Sequence, residues 1–284
     1  MSDLDLRLDS IHVYPVKSCA GTSPTHAVVA ETGFDLDREW MVVDAAGSFV
    51  TQRELPKMAL VQTALKSDEL ILRAPGMLAL HVAVDRIESR TEVEVWNDRV
   101  TAYDMGALCA QWFTDFLGKP VRLARFDPEA PRRADRRWTK TIDAPTAFQD
   151  GFPFLVASTA SLVELNGRLA RGGEAAVTMA RLRPNLVVSG LDAHGEDHLD
   201  EIVFAAEGGP VRLKLVKPCA RCSIPDVDPQ TGVRGHAVGD ALAQYRADPR
   251  LDGALTFAMN AVIVEGIGRT LAVGMPGTAT IAFA

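Results

Sequence analysis

The sequence predicts a mainly β chain of the α+β class, built from β-barrel or sandwich units with a few helices. Short segments of alternating apolar and polar residues follow one another through the first hundred positions. Turn residues such as APG at 74–76 and ND at 97–98 separate them. Only a few stretches carry a helical period. At 284 residues the chain can bury a large core, and two domains suit this length better than one.

Taken in order, LRLDSIHVY at 6–14 alternates as a half-buried strand and ends in PVKSCAG. A lysine, a hydroxyl and a glycine at a strand end can serve an anion through charge and free donors, or be a plain solvated turn. Residues 26–30 and 40–43 read as strands, and DAAG at 44–47 as a hairpin turn. Arg38, among acids before the second of these, reads most simply as a surface ion-pair residue. Further strands are expected at 58–65, 70–73, 78–84 and 91–96. The first helix is MGALCAQWFTDFL at 105–117, with Leu108, Trp112, Phe113 and Phe116 at helical spacing and Gly118 as its stop. Cys109 on that helix reads as a small packing residue.

After a strand at 121–126, residues 127–145 turn polar and basic. They form a long loop that is either a cationic rim or a solvated face. Ser158 or Thr159 caps a helix expected at 159–168. In RPNLVVSG at 183–190 a polar entrance leads into a buried strand. HGEDH at 194–198 has residue types that suit zinc but reads as a loop. A helix is expected at 239–247, then strands at 256–264, 270–273 and 278–283.

Charge excludes one class of function. Residues 1–120 hold 11 Lys and Arg against 18 Asp and Glu, while the remainder balances, so the whole chain stands at −7. A general nucleic-acid binder needs a dominant basic surface. No apolar run is long enough to span a bilayer, which takes about 18–20 residues. The acidic start MSDLDLRLDS lacks a secretory signal's pattern, and four cysteines are too few for a disulfide scaffold. The expectation is a cytoplasmic protein with reduced thiols and no membrane partner.

The chain is organised around KPCARCSIPDVD at 217–228. It follows the alternating strand VRLKLV and precedes the turn DPQTG, so both cysteines stand where a strand becomes a loop. Near Lys217 and Arg221, such a thiol should have a lowered pKa and act as ligand or nucleophile. A single Cys-x-x-Cys can be half of a zinc clip, here completed by His236. It can also be a thioredoxin-type redox motif, or a lone thiolate on a metal carried by an organic cofactor.

YPVKSC at 14–19, GFDLDREWMVVD at 33–44, QDGFPFLVASTASLVELN at 149–166, RPNLVVSG and KPCARC…VDPQTG at 217–232 together resemble the MOSC family. These are proteins related to the C-terminal domain of molybdenum cofactor sulfurases. The nearest pattern is the subgroup with an N-terminal β-barrel domain, which includes amidoxime-reducing proteins. The resemblance implies an N-terminal β-barrel domain at 1–120 and a MOSC β-barrel domain at 121–284. It implies Mo-molybdopterin as cofactor, with Cys222 as the molybdenum ligand and Cys222 and Asp150 as catalytic residues. Lys17, Ser18, Arg38, Arg183, Asn185 and Arg221 would bind the cofactor. The implied activity is reduction of N-hydroxylated compounds such as amidoximes and hydroxylamines, with a non-redox cofactor or sulfur carrier as the alternative. Pyridoxal phosphate binding is a further property attached to the family.

Two departures from the family pattern stand at this site. Many relatives have serine where this chain has Ala220, and a stretch ending in two threonines where it has SIPD after Cys222. The first removes one side-chain hydrogen bond, and the second, in a loop that the resemblance places near the metal, points to a different substrate preference. No Cys-rich extension for a [2Fe–2S] domain follows Ala284, so a separate electron-donor protein, of ferredoxin or flavin-reductase type, is expected to act with a small-molecule substrate.

Overall fold

The computed structural model describes residues 4–66, 68–85 and 87–282. Seven strands close a barrel in the order Phe154–Ser158, Leu186–Ser189, Leu4–Ile11, Pro276–Ile281, Leu199–Ala206, Gly209–Ala220 and Ala254–Glu265. The last pairs back onto the first. Phe154–Ser158 and Leu186–Ser189 run parallel, joined through helix Thr159–Arg171, because parallel neighbours need a crossover. The other barrel pairings are antiparallel. The mainly β expectation holds.

Alternation sets each strand's inner face. In Leu4–Ile11, Leu6 and Leu8 point into the barrel while Asp5, Arg7 and Asp9 point out. In Gly209–Ala220, Val211, Leu213 and Leu215 fill the same core against Phe154, Ile202 and Phe204. Helices Thr159–Arg171 and Ala237–Ala243 pack Leu165, Leu169, Val238 and Leu242 on the outer face of the wall, over Val187 and Phe257.

The N-terminal half contributes two antiparallel sheets. One runs Trp40–Val43, Arg122–Phe126, Asp98–Asp104, Ser89–Val95; the other runs Gln62–Leu65, Glu69–Arg73, Leu80–Ala83. Their shared core holds Trp40, Met58, Leu72, Phe113 and Leu123. Two strands cross the division at residue 120. Leu4–Ile11 belongs to the barrel with partners from the C-terminal half, and Arg122–Phe126 pairs with Trp40–Val43. The two halves are thus sewn together by hydrogen bonds. Gly33 sits at the seam with φ +129, where an added Cβ would lie 2.6 Å from the carbonyl oxygen of Pro153.

Several boundaries differ from the sequence reading. Helix Ala107–Leu117 ends at Gly118 in the left-handed region as expected, but Leu108 is exposed and takes no part in the core. Helix Thr159–Arg171 runs one turn further than expected, with Ser158 as its cap. The expected helix at 239–247 is Ala237–Ala243, followed by strand Ala247–Asp248. The last strand ends at Ile281, and the expected strand end at Phe283 lies outside the described residues.

Candidate functional site

All eight residues singled out above line one cleft, where the N-terminal half meets the end of the barrel. They come from five separate stretches of chain, and the fold brings them together.

The floor is made by Lys17 and Asn185. Lys17 is 5% exposed; its ammonium donates to the carbonyl oxygen of Phe148 at 2.7 Å and to Asp150 Oδ1 at 2.5 Å. Burial pushes this ammonium below its ordinary pKa, and Asp150 pulls it back up. Partial loss of bulk water inside the cleft would by itself raise the Asp150 carboxyl. The charge and hydrogen bond of Lys17, then Arg38, override that and hold the carboxyl well below the usual range. The Asp150 side chain is 70% exposed to the cleft, so water screens the pair. Asn185 accepts from the Leu155 N–H and donates to the carbonyl oxygen of His12, tying the strand entrance together.

Arg38 and Arg183 flank the ring of Tyr14, each guanidinium carbon 4.2 Å from its centroid. Arg38 forks onto both oxygens of the fully buried Asp37 at 2.8 and 2.7 Å and donates to the Arg183 carbonyl oxygen at 3.1 Å. It is an ion-pair residue, but a buried one rather than a surface one. Arg183 donates to the carbonyl oxygen of Cys19 at 2.7 Å, and burial lowers its pKa. Burial also pushes the Tyr14 phenol up to about 12, against the pull of both arginines, so it stays neutral. Ser18, Arg38, Trp96 and Arg183 all have positive φ. Such strain gathers where surrounding structure holds side chains in a working position.

The remaining wall is the end of strand Gly209–Ala220 and the loop after it. Cys219 is half-buried and Cys222 exposed. Arg221 Nη1 donates to Cys219 Sγ at 3.2 Å and Nη2 to the Leu182 carbonyl oxygen at 2.8 Å; its Nε is buried without a partner. Lys217 turns away and lies over the rings of Trp138 and Phe152.

Several expectations end differently. The zinc clip is not formed: His236 bonds Asp240. Among the described residues no group of three or more His, Cys, Asp or Glu is placed to hold a metal ion. His194 packs on Tyr245 and Phe257, as a loop residue. The basic loop at 127–145 holds one buried arginine and two paired ones, while Arg136 and Lys140 are exposed. Arg132 is 8% exposed and bonded to Asp98 and the Gln149 carbonyl oxygen, while Arg133 and Arg137 pair with Asp143 and Asp135. Cys19 is fully buried, its thiol pushed up to about 12 by desolvation. No helix among the described residues is long and apolar enough to cross a membrane.

The sequence reading missed Arg53 and Trp96. Trp96 donates its indole N–H to Asp150 Oδ1 at 3.3 Å, and the Arg53 guanidinium lies 4.5 Å from the indole ring. The available signal was a large aromatic residue in the WND turn, where a small polar residue is the norm.

Comparison with known proteins agrees with this architecture. Residues 5–120 match the family model for the MOSC N-terminal beta barrel domain, and residues 143–274 match the MOSC domain. The chain is 35% identical to human mitochondrial amidoxime-reducing component 1, covering 84% of this chain and 71% of that protein. It is 35% identical to human mitochondrial amidoxime reducing component 2, covering 84% and 72%. Human molybdenum cofactor sulfurase is 29% identical over 84% of this chain, which spans 28% of that longer protein. With two domain models matched in order and such identity along most of its length, the chain belongs to the MOSC family.

Proposed function

We propose that this protein binds molybdenum cofactor in the cleft and reduces N-hydroxylated compounds with electrons from a separate donor protein. The observation that carries this reading is the charge of the lining. Lys17, Arg38, Arg53, Arg183 and Arg221 face a single carboxylate, Asp150, in a chain of net charge −7. Such a lining suits a polar anion the size of a phosphorylated pterin. The donor set fits as well: Arg221 Nε is buried and unpartnered, and Cys222 presents an exposed thiol on the same wall. Thiolate is a soft ligand for a metal of this kind. The relatives named for amidoxime reduction and for the molybdenum cofactor support the same chemistry.

Lys17, Ser18, Arg38, Arg183 and Arg221 would hold the cofactor, with Cys222 on the metal. When bound, the cofactor supplies a two-electron redox centre. Reduction of an N–OH group releases its oxygen as water and takes up two electrons and two protons. Asp150, kept ionised by Lys17, does not donate a proton near neutral pH; it accepts a hydrogen bond from a substrate N–H or O–H and orients it. Arg38 and Arg183 hold fixed positive charge, because Tyr14 and Asp37 fix their planes. A cytoplasmic site of action is part of this proposal.

A second reading is favoured by one observation. Two accessible thiols stand three positions apart, one hydrogen-bonded to Arg221. That arrangement suits a protein that carries the cofactor or sulfur and hands it on. The experiment is to purify the chain from a host that makes the cofactor. Molybdenum is then measured by mass spectrometry in wild type and Cys222→Ala, and benzamidoxime reduction is assayed with a reduced viologen as donor. The reductase reading expects about one molybdenum per chain and turnover, both lost in the variant. Persulfide on Cys219 or Cys222 with no turnover would replace it with the carrier reading.

A further inference from the structure

Trp96 is held at the cleft by a costly piece of backbone. Val95 and Asp98 pair across the hairpin, so Trp96 and Asn97 form a two-residue turn, and Trp96 has φ 58. The first position of such a turn favours glycine, asparagine or aspartate, because a side-chain Cβ is strained there. A bulky aromatic residue is the least expected occupant. The tertiary contacts over-determine its placement. Its indole N–H donates to Asp150 Oδ1, its ring lies 5.1 Å from that of Phe49, and the Arg53 guanidinium covers one face. The side chain nevertheless remains 44% exposed, at the rim of the cleft.

Arg53 completes the feature. Its Nε donates to Thr51 Oγ1, and among the described residues no carboxylate pairs with its guanidinium. The rim therefore offers an exposed indole and an unpaired cation side by side, next to the ionised Asp150. An aromatic surface stacks on a flat ring, a guanidinium takes up an anionic substituent, and a carboxylate accepts from an amidine-type N–H.

We propose that Trp96 and Arg53 form the substrate-selecting subsite at the cleft mouth. It takes flat aromatic N-hydroxylated compounds that carry an anionic group. This rests on the reductase reading for the reaction, but binding tests it separately from turnover. The probes are the amidines that remain after the N–O oxygen is removed. Benzamidine against acetamidine measures stacking, and 4-amidinobenzoate against benzamidine measures the anionic contact.

Isothermal titration of the full chain, purified from the cofactor-making host, reads the affinities. Trp96→Ala should weaken benzamidine about 5- to 10-fold and leave acetamidine unchanged. Trp96→Phe should keep benzamidine within about 3-fold. Arg53→Met should remove the advantage of 4-amidinobenzoate over benzamidine. Benzamidine should also quench tryptophan fluorescence in wild type more than in Trp96→Phe. Equal benzamidine affinity in wild type and Trp96→Ala overturns the subsite, as does a uniform loss for both amidines in both Trp96 variants. If molybdenum is absent while the aromatic preference persists, the subsite stands and the reductase reading fails.

Discussion

The Nζ of Lys17 lies 2.5 Å from Oδ1 of Asp150, closing a contact across 133 residues of chain. It joins the strand-end loop of the N-terminal half to the segment entering the barrel, at the floor of the cleft.

Replacing Asp150 by Asn should leave the buried Lys17 ammonium without its counter-charge and destabilise the fold by about 1–2 kcal/mol, between the values for exposed and for fully buried pairs because Asp150 is solvated and Lys17 is not. The pH dependence has a definite sign. A carboxyl with a depressed folded pKa contributes stability above its unfolded pKa, near 3.8, and loses it as pH falls through the folded value. Urea unfolding at pH 7 should therefore separate wild type from Asp150→Asn, and the gap should begin to narrow below about pH 4 and go on shrinking as pH falls toward the depressed folded value. A gap independent of pH would rule out the ion pair as its source.

Thiol chemistry should divide the four cysteines into two classes. Cys222 is exposed and Cys219 half-buried, whereas Cys19 and Cys109 lie in the N-terminal core, with the Cys19 thiol pushed up to about 12. Alkylation at pH 8 with mass-spectrometric mapping should label Cys222 first and Cys219 next. Cys19 should be labelled only after unfolding. Labelling of native Cys19 at the rate of Cys222 would contradict the packing around Val16 and Trp40.

His194 should make the protein acid-sensitive. Its ring packs on Phe257 and Tyr245, both ring nitrogens are buried without partners, and burial pushes its pKa down to about 4. The unfolded chain takes up the proton near 6.5 and the native state only near 4, so stability falls as pH drops through that window. His194→Phe keeps the ring contacts and removes the titration. The variant should lose less stability than wild type between pH 6.5 and 4 in thermal melts. An unchanged slope would assign the effect to other groups.

Local signals carried much of the fold. The alternation of Leu6 and Leu8 against Asp5 and Arg7 marked the inner face of a strand, and Ser158 marked a helix start. Gly118 marked a helix end, since only glycine turns left there without strain. The residue types at 17–18, 183–185 and 217–222 marked cation-rich strand ends. Arg132 defeated the same reading, because a run of arginines looks solvated until the partners that bury one of them are known. Trp96 went unnoticed because its contacts, Asp150 and Arg53, come from elsewhere in the chain.

The sequence by itself determined most of the strand segments and their inward faces, and which side chains could hold an anion or a metal, though not that Pro56–Leu60 is a helical turn or that Leu108 is exposed. These follow from the periods of two and 3.6 residues and from turn chemistry, all of which act over short separations. Tertiary structure alone decided that Leu4–Ile11 pairs with Leu186–Ser189 and Pro276–Ile281, and that Lys17 meets Asp150. It also decided that Tyr14 lies between Arg38 and Arg183, and that Cys222 shares a cleft with Lys17, Asp150 and both of these arginines. Alternation specifies a buried face without naming its partner. The partner is fixed only when the barrel closes and every strand's inner face is buried at once.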